Sequence, residues 1–197
     1  MTLFSKRGAE PQALPLSDSD ELGNLWSDLA NNEAGRAACG WVEAPDAPAF
    51  DQDATLLAWT DGAWLVTPFP AEEITARLEA ARAARLAELA ALRWDRQQWL
   101  TFDDTVMPAD DTTVGRCTAA EAYARNKGID LDAPRNWKIA DGVWTTLTTT
   151  AIIAYGIAIG DHMQGCFDRE KALSDQLIAA PDIASLRAID ITAGWPA

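Results

Sequence analysis

Two Asp-Gly dipeptides, each set between short alternating runs that carry a tryptophan, constrain this chain more than any other feature. A two-residue type I′ turn needs positive φ at both central positions, which Asp-Gly tolerates, so each dipeptide predicts a tight β-hairpin. The first joins Thr55-Leu56-Leu57-Ala58-Trp59 to Ala63-Trp64-Leu65-Val66 through Asp61-Gly62. Its register sets Trp59 opposite Trp64, with Leu57 and Val66 on the same face. The second joins Trp137-Lys138-Ile139-Ala140 to Val143-Trp144-Thr145-Thr146-Leu147 through Asp141-Gly142. The same symmetric register pairs Ile139 with Trp144, leaves Trp137 beside them, and turns Lys138 and Thr145 to the other face. A helix follows, with Thr148, Thr149 or Thr150 as N-cap. Ile152, Ile159, Met163, Phe167 and Leu177 recur along it at helical spacing, with Tyr155 and Cys166 beside them. The expected core is therefore Trp137, Ile139 and Trp144 packed on Ile152, Ile159 and Met163.

The rest of the chain predicts an α+β fold in three parts. Residues 1–70 read as an N-terminal arm and a small β-rich docking module. Pro11, Pro15 and Ser17-Asp18-Ser19-Asp20 suggest an irregular start, and Leu22, Leu25, Trp26 and Leu29 a short helix capped by Asp20. Gly40-Trp41-Val42-Glu43 predicts a strand, and Pro45 and Pro48 break it. Residues 71–98 form a connecting segment whose Ala-rich helix spans Ala71 to about Arg96, with Glu72 and Glu73 favouring its N-terminal dipole. Its apolar stripe includes Ile74, Leu78, Leu86, Leu89 and Leu92, but Arg85 breaks the heptad counted from Leu78. That pattern predicts a stalk that also self-associates through Leu78, Leu86 and Leu89. Residues 99–197 form a C-terminal domain of two β-hairpins packed on helices. It holds a hairpin turning at Asp103-Asp104, a helix from Asp110 or Asp111 to about Asn126, the Asp141-Gly142 hairpin, its long helix, and a short helix capped by Asp182.

Composition bounds the partners. Hydrophobic residues make up 48% of the 197-residue chain and charged ones 23%, enough to bury a core. A formal net charge of −14 opposes a phosphate backbone, so nucleic acid is not an expected partner. No stretch is apolar enough to predict a membrane span. Nothing after Lys6 and Arg7 reads as a secretory leader. Cys39, Cys117 and Cys166 are scattered without a C-x-x-C pair, as in proteins made in a reducing cytosol.

Two groupings could carry chemistry. His162, the only histidine, lies four residues before Cys166 on one helix face. A nucleophilic pair would need a third residue to orient it, and none is evident. Asp103-Asp104 and Asp110-Asp111 could share a calcium ion, but a turn and a helix N-cap account for both pairs. No P-loop, G-x-G-x-x-G, G-x-S-x-G or HExxH motif occurs. The expectation is a non-enzymatic protein with no catalytic, cofactor-binding or metal-binding residues.

From Trp94 to Pro196 the chain resembles a C-terminal domain of unknown function that recurs in bacteriophage proteins encoded near tail genes. The carrying residues are Leu92-Arg93-Trp94, Asn136-Trp137-Lys138, Asp141-Gly142, Ile152, His162, Cys166-Phe167-Asp168-Arg169-Glu170, Leu173, Ile189-Asp190 and Gly194-Trp195-Pro196. The resemblance departs at Asp103-Asp104, where an Asn-Gly-like turn is usual, which leaves that turn's length open. Upstream, Gly40-Trp41, Pro48-Ala49-Phe50-Asp51, Thr55 and Leu57 to Trp64 are similar to a short module that precedes such domains in tail and tail-fibre-associated proteins. The resemblance implies a virion structural protein at the tail tip or tail fibre, present in the host cytoplasm during assembly. It also implies other tail proteins as partners and a homo-oligomer, a trimer in the fibre setting. The alternative is a tail-fibre assembly chaperone absent from the mature virion. The resemblance carries no catalytic residues.

Overall fold

A computed structural model describes residues 2–196. The fold is α+β, in the order β1 (Phe4–Lys6), β2 (Ser17–Ser19), β3 (Leu25–Ser27), α1 (Glu33–Cys39), β4 (Trp41–Glu43), β5 (Thr55–Thr60), β6 (Ala63–Pro68), α2 (Ala71–Arg96), β7 (Trp99–Phe102), β8 (Thr105–Pro108), α3 (Asp111–Lys127), β9 (Pro134–Ala140), β10 (Val143–Thr148), α4 (Thr149–Ala179) and α5 (Ile183–Ala188). Every sheet among the described residues is a two-stranded antiparallel pair. Such pairs are marginal alone in water, so each needs something to pack on. The chain divides into two compact units, one ending at Arg77 and the other starting at Leu78.

In the first unit the start of the chain is not a loose arm. β1 pairs with β4, and β2 pairs with β3 across a turn tied by Asp20. The helix expected over Leu22–Leu29 is absent; that stretch is the turn and β3. Asp20 does not cap a helix. Its carboxylate instead accepts from the backbone N–H groups of Leu22 and Asn24 and from the Trp26 indole. A short Asx-type turn thus competes with and defeats the helical spacing. The helix of this region is α1, with the Asn32 side chain capping Gly35 N at 2.9 Å. A small core of Leu29, Cys39 and Trp41, with Phe4, Leu14 and Trp26 against it, is held by polar pins. Asp18 accepts from Lys6 Nζ at 2.5 Å and from Trp41 Nε1 at 2.7 Å.

The β5–β6 hairpin has the expected register. Leu57 faces Val66 and Trp59 faces Trp64, with the two indoles edge-to-face at 5.1 Å. Asp61 and Gly62 both have positive φ (51° and 81°). Trp59 Nε1 donates to the Gly8 carbonyl and Trp64 Nε1 to the Pro45 carbonyl, each at 2.9 Å, which fastens the tryptophan face to the strand pair behind it.

In the second unit α4 is the common support. Its buried stripe includes Ile152, Tyr155, Ile159, His162, Cys166, Leu173 and Leu177. The N-terminal half meets Leu100 and Met107 of the β7–β8 hairpin, Cys117 of α3 and Trp137 of β9. Tyr155, fully buried, donates its hydroxyl to the Pro108 carbonyl, and burial pushes its phenol well above the usual range. The C-terminal half meets Leu89 of α2, Leu186 of α5 and Ile191. The Asp103-Asp104 turn has two residues, both with positive φ (49° and 58°), a conformation that aspartate tolerates better than most side chains.

Trp137, Ile152 and Ile159 are buried in the first of these clusters, and Ile139 and Met163 are partly buried against it. Trp144 departs from expectation: it is 62% exposed. Here only Gly142 of the turn pair has positive φ (76°), and the pairing jumps from Val143–Ala140 to Trp144–Lys138. Ile139 is the extra residue of a bulge, and the one-residue slip sends Trp144 to the outer face while Thr145 comes opposite Trp137.

Trp137→Ala should destabilise the protein by about 3–5 kcal/mol, as large core truncations do. Trp144→Ala should change stability by no more than about 0.5 kcal/mol. Denaturant unfolding of the two variants checks both values. The first unit should also respond to acid. Hydrogen bonds from Trp26 and Asn24 hold the Asp20 carboxyl down at about 2, and those from Lys6 and Trp41 lower Asp18. Carboxyls lowered in the folded state stabilise it fully above their ordinary range near 4 and stop doing so as pH falls through the folded value. Near-ultraviolet circular dichroism of the tryptophans should hold at pH 5 and change between about pH 4 and 2.

Candidate functional site

The His162–Cys166 pair lies where α4 crosses the end of α2. His162 Nε2 is 3.1 Å from the Arg96 carbonyl oxygen. A carbonyl only accepts, so Nε2 carries the proton and the ring's lone pair sits on Nδ1. The Cys166 sulfur is 3.8 Å from that same Nε2, a donor already committed elsewhere. The lone pair that could take a thiol proton is on the other nitrogen. Cys166 is fully buried, and burial pushes its thiol up, against the partial opposing effect of Arg93. This geometry ties α4 to an end-of-helix carbonyl and does not activate a thiolate. Cys117 is likewise pushed up by burial, to about 11.

Leu78, Leu86 and Leu89 do not form a contact between copies. Leu89 is buried with Leu173, Leu177, Leu186 and Ile191, and Leu78 and Leu86 pack against the same cluster. From Leu78 onward α2 is part of the second unit and not a free stalk. The helix stripe that suggested self-association is covered by α4 and α5 of its own chain.

Arginines complete this packing, and the sequence reading missed them. Arg82 donates to the carbonyls of Leu177 and Ala180 at 3.2 and 3.1 Å, at the end of α4. Arg85 donates to the Ile189 carbonyl at 3.0 Å, just past α5. Cations at helix C-termini satisfy orphan carbonyls and meet the negative end of the dipole. The heptad break at Arg85 was the available signal: the arginine is inward because it closes another helix's end. Arg93 pairs with Glu170 at 3.2 Å and lies 5.3 Å over the Phe167 ring.

The two most distinctive segments meet through Arg169. It donates to the Ala193 carbonyl from Nε and Nη2, at 3.1 and 2.8 Å. Gly194 has φ of 77°, and a Cβ there would sit 3.1 Å from the Arg169 guanidinium. Trp195 packs on the α2–α4–α5 cluster and donates to the Ile191 carbonyl at 2.8 Å. Cys166-Phe167-Asp168-Arg169-Glu170 and Gly194-Trp195-Pro196 therefore make a tertiary latch.

The acidic pairs stay apart from metal chemistry. Asp103 and Asp104 form the tight turn, and Asp110 accepts from Thr113 N at 2.7 Å as the cap of α3. Among the described residues no three His, Cys, Asp or Glu side chains are grouped to hold a metal ion. A depression of about 170 Å³ between α3 and α4 is lined by Val114, Cys117, Ile153 and Ile157 with Glu121 at its margin. That is smaller than the few hundred Å³ of ordinary ligand pockets. What the protein does present is apolar surface. Leu16, Leu22 and Leu25 are exposed around the β2–β3 turn, and Leu56 and Leu65 on the outer face of β5–β6. No helix among the described residues is long and apolar enough to cross a membrane.

Arg82→Ala should cost about 1–3 kcal/mol, because it leaves the Leu177 and Ala180 carbonyls without their donor. Urea unfolding measures it, with Arg125→Ala as control, since Arg125 pairs only with Glu121 on the exposed face of α3.

Residues 80–193, more than half of the chain, match the family described as a domain of unknown function (DUF4376). Neither a curated protein nor a solved structure matches the chain.

Proposed function

We propose that this chain, which belongs to the DUF4376 family, is a non-enzymatic structural protein of a bacteriophage tail. It sits at the tail tip or fibre as a homo-oligomer and helps attach or display the host-contact apparatus alongside other tail proteins. The observation that carries this reading is the use made of the residues that resemble tail-region proteins. Cys166 to Glu170 and Gly194 to Pro196 engage α2 and one another, so they maintain a scaffold. The two-unit organisation supports it as well. The family match starts two residues into the second unit, so a separate small module precedes the family domain, as an adaptor requires. In that module the first twenty residues are paired within the chain, at Phe4–Lys6 and Ser17–Ser19, so docking would use its surface and not an arm that orders on contact.

The exposed leucines of the first unit also suit an assembly chaperone, which binds an unassembled fibre and leaves. Mass spectrometry of purified, digested particles separates the two readings. The expected result is peptides from both units at stoichiometric levels. Absence from particles, with abundance in infected-cell lysate, would replace the structural reading with the chaperone. Purified protein should cleave neither peptidoglycan nor polysaccharide; cleavage that disappears in His162→Ala would overturn the non-enzymatic reading.

A further inference from the structure

We propose that the outer face of the β5–β6 hairpin is the surface through which two copies of this chain meet. The hairpin is an isolated pair, so the outer edges of both six-residue strands have no strand partner among the described residues. Its inner face is fastened by the Trp59 and Trp64 indoles to the Gly8 and Pro45 carbonyls. Residues on the opposite face alternate with those: Leu56, Ala58, Ala63 and Leu65. Leu56 is 53% and Leu65 52% exposed.

Edge strands that must stay single carry lysine, inward-pointing charge or proline within the strand. β5 and β6 carry no charge, and the only proline is the last residue of β6. From Ala54 to Ala71 the single charged residue is Asp61, in the turn. The charge balance selects the partner. With 30 acidic against 16 basic residues, two copies repel wherever their charged surfaces face each other. A contact between copies therefore belongs on uncharged surface, and this hairpin supplies apolar side chains and unpaired backbone groups together. A basic partner would gain nothing here and would be drawn to the acidic surface elsewhere. With Leu78, Leu86 and Leu89 covered within the chain, self-association needs another surface of this kind.

The inference rests on the self-association in the tail reading and names where it occurs. Light scattering coupled to size exclusion, at rising concentration, tests it on the full chain and on the double variant Leu56→Glu/Leu65→Glu. Leu22→Glu, on another exposed leucine, is the control. Circular dichroism and the unfolding midpoint should not change in the double variant, because both side chains point to solvent. The expected result is an oligomer for the unaltered chain and for Leu22→Glu, and loss of the oligomer to single-chain mass in the double variant. An oligomer that survives in a folded double variant would overturn this surface while leaving self-association standing. A monomer in the unaltered chain at every concentration would overturn both. Neither result bears on the presence of the protein in particles.

Discussion

The second unit depends on one apolar stripe along α4. A 31-residue helix alternates its buried positions between steps of three and four, so a single face can be covered along its whole length. The unit covers it with two different sets of partners. Two hairpins and α3 lie over Ile152, Tyr155 and Ile159; α2 and α5 lie over Leu173 and Leu177. None of the two-stranded sheets has a hydrophobic interior of its own, so each owes its persistence to a helix face. Close approach matters as much as area. A Cβ at position 156 would lie 3.3 Å from the Cys117 Cβ, so a glycine on α4 lets α3 settle against it.

His162 marks the junction between these two halves. Its Nε2–H meets the last turn of α2 at the Arg96 carbonyl, and the arginines of α2 return the favour at the ends of α4 and α5. Helices packed side by side leave orphan carbonyls near one another's side chains, and long guanidinium groups reach them while their stems lie on apolar surface. In an acidic chain with 16 basic residues, committing Arg82, Arg85, Arg93 and Arg169 to internal contacts leaves the outer surface more negative still.

The first unit solves a harder problem with fewer apolar groups. Its buried cluster is small, and polar pins compensate: Asp18 to Trp41, Asp20 to Trp26, and the Gly8 and Pro45 carbonyls to Trp59 and Trp64. Each indole buries a large ring and also fixes direction through its N–H. A module built this way cannot cover all its leucines, and the surface left over is where its interactions belong.

Most element positions were legible because they rest on local chemistry. The Ala-rich helix over Ala71–Arg96, the Asp110, Thr148 and Asp182 caps, and the Asp61-Gly62 turn each follow from residues within a few positions of one another. Ile152 and Ile159 declared themselves by spacing. Trp144 did not, because a bulge at Ile139 is a small difference in backbone free energy that reverses every later side chain. The β2–β3 pairing was hidden by leucine spacing that fits a helix, until Asp20 gathered the backbone of its own turn. Leu78, Leu86 and Leu89 showed an apolar stripe, yet a stripe does not say whether its cover comes from the same chain or another. His162 with Cys166, and Arg169 with Gly194, showed residue types that could serve chemistry or packing. The sequence by itself determined where helices and turns begin and end, since those depend on capping, φ preference and periodicity. Only the tertiary structure decided which face is covered and by what, because that depends on register and on carbonyls about a hundred residues away, such as those of Leu177 and Ala180 under Arg82.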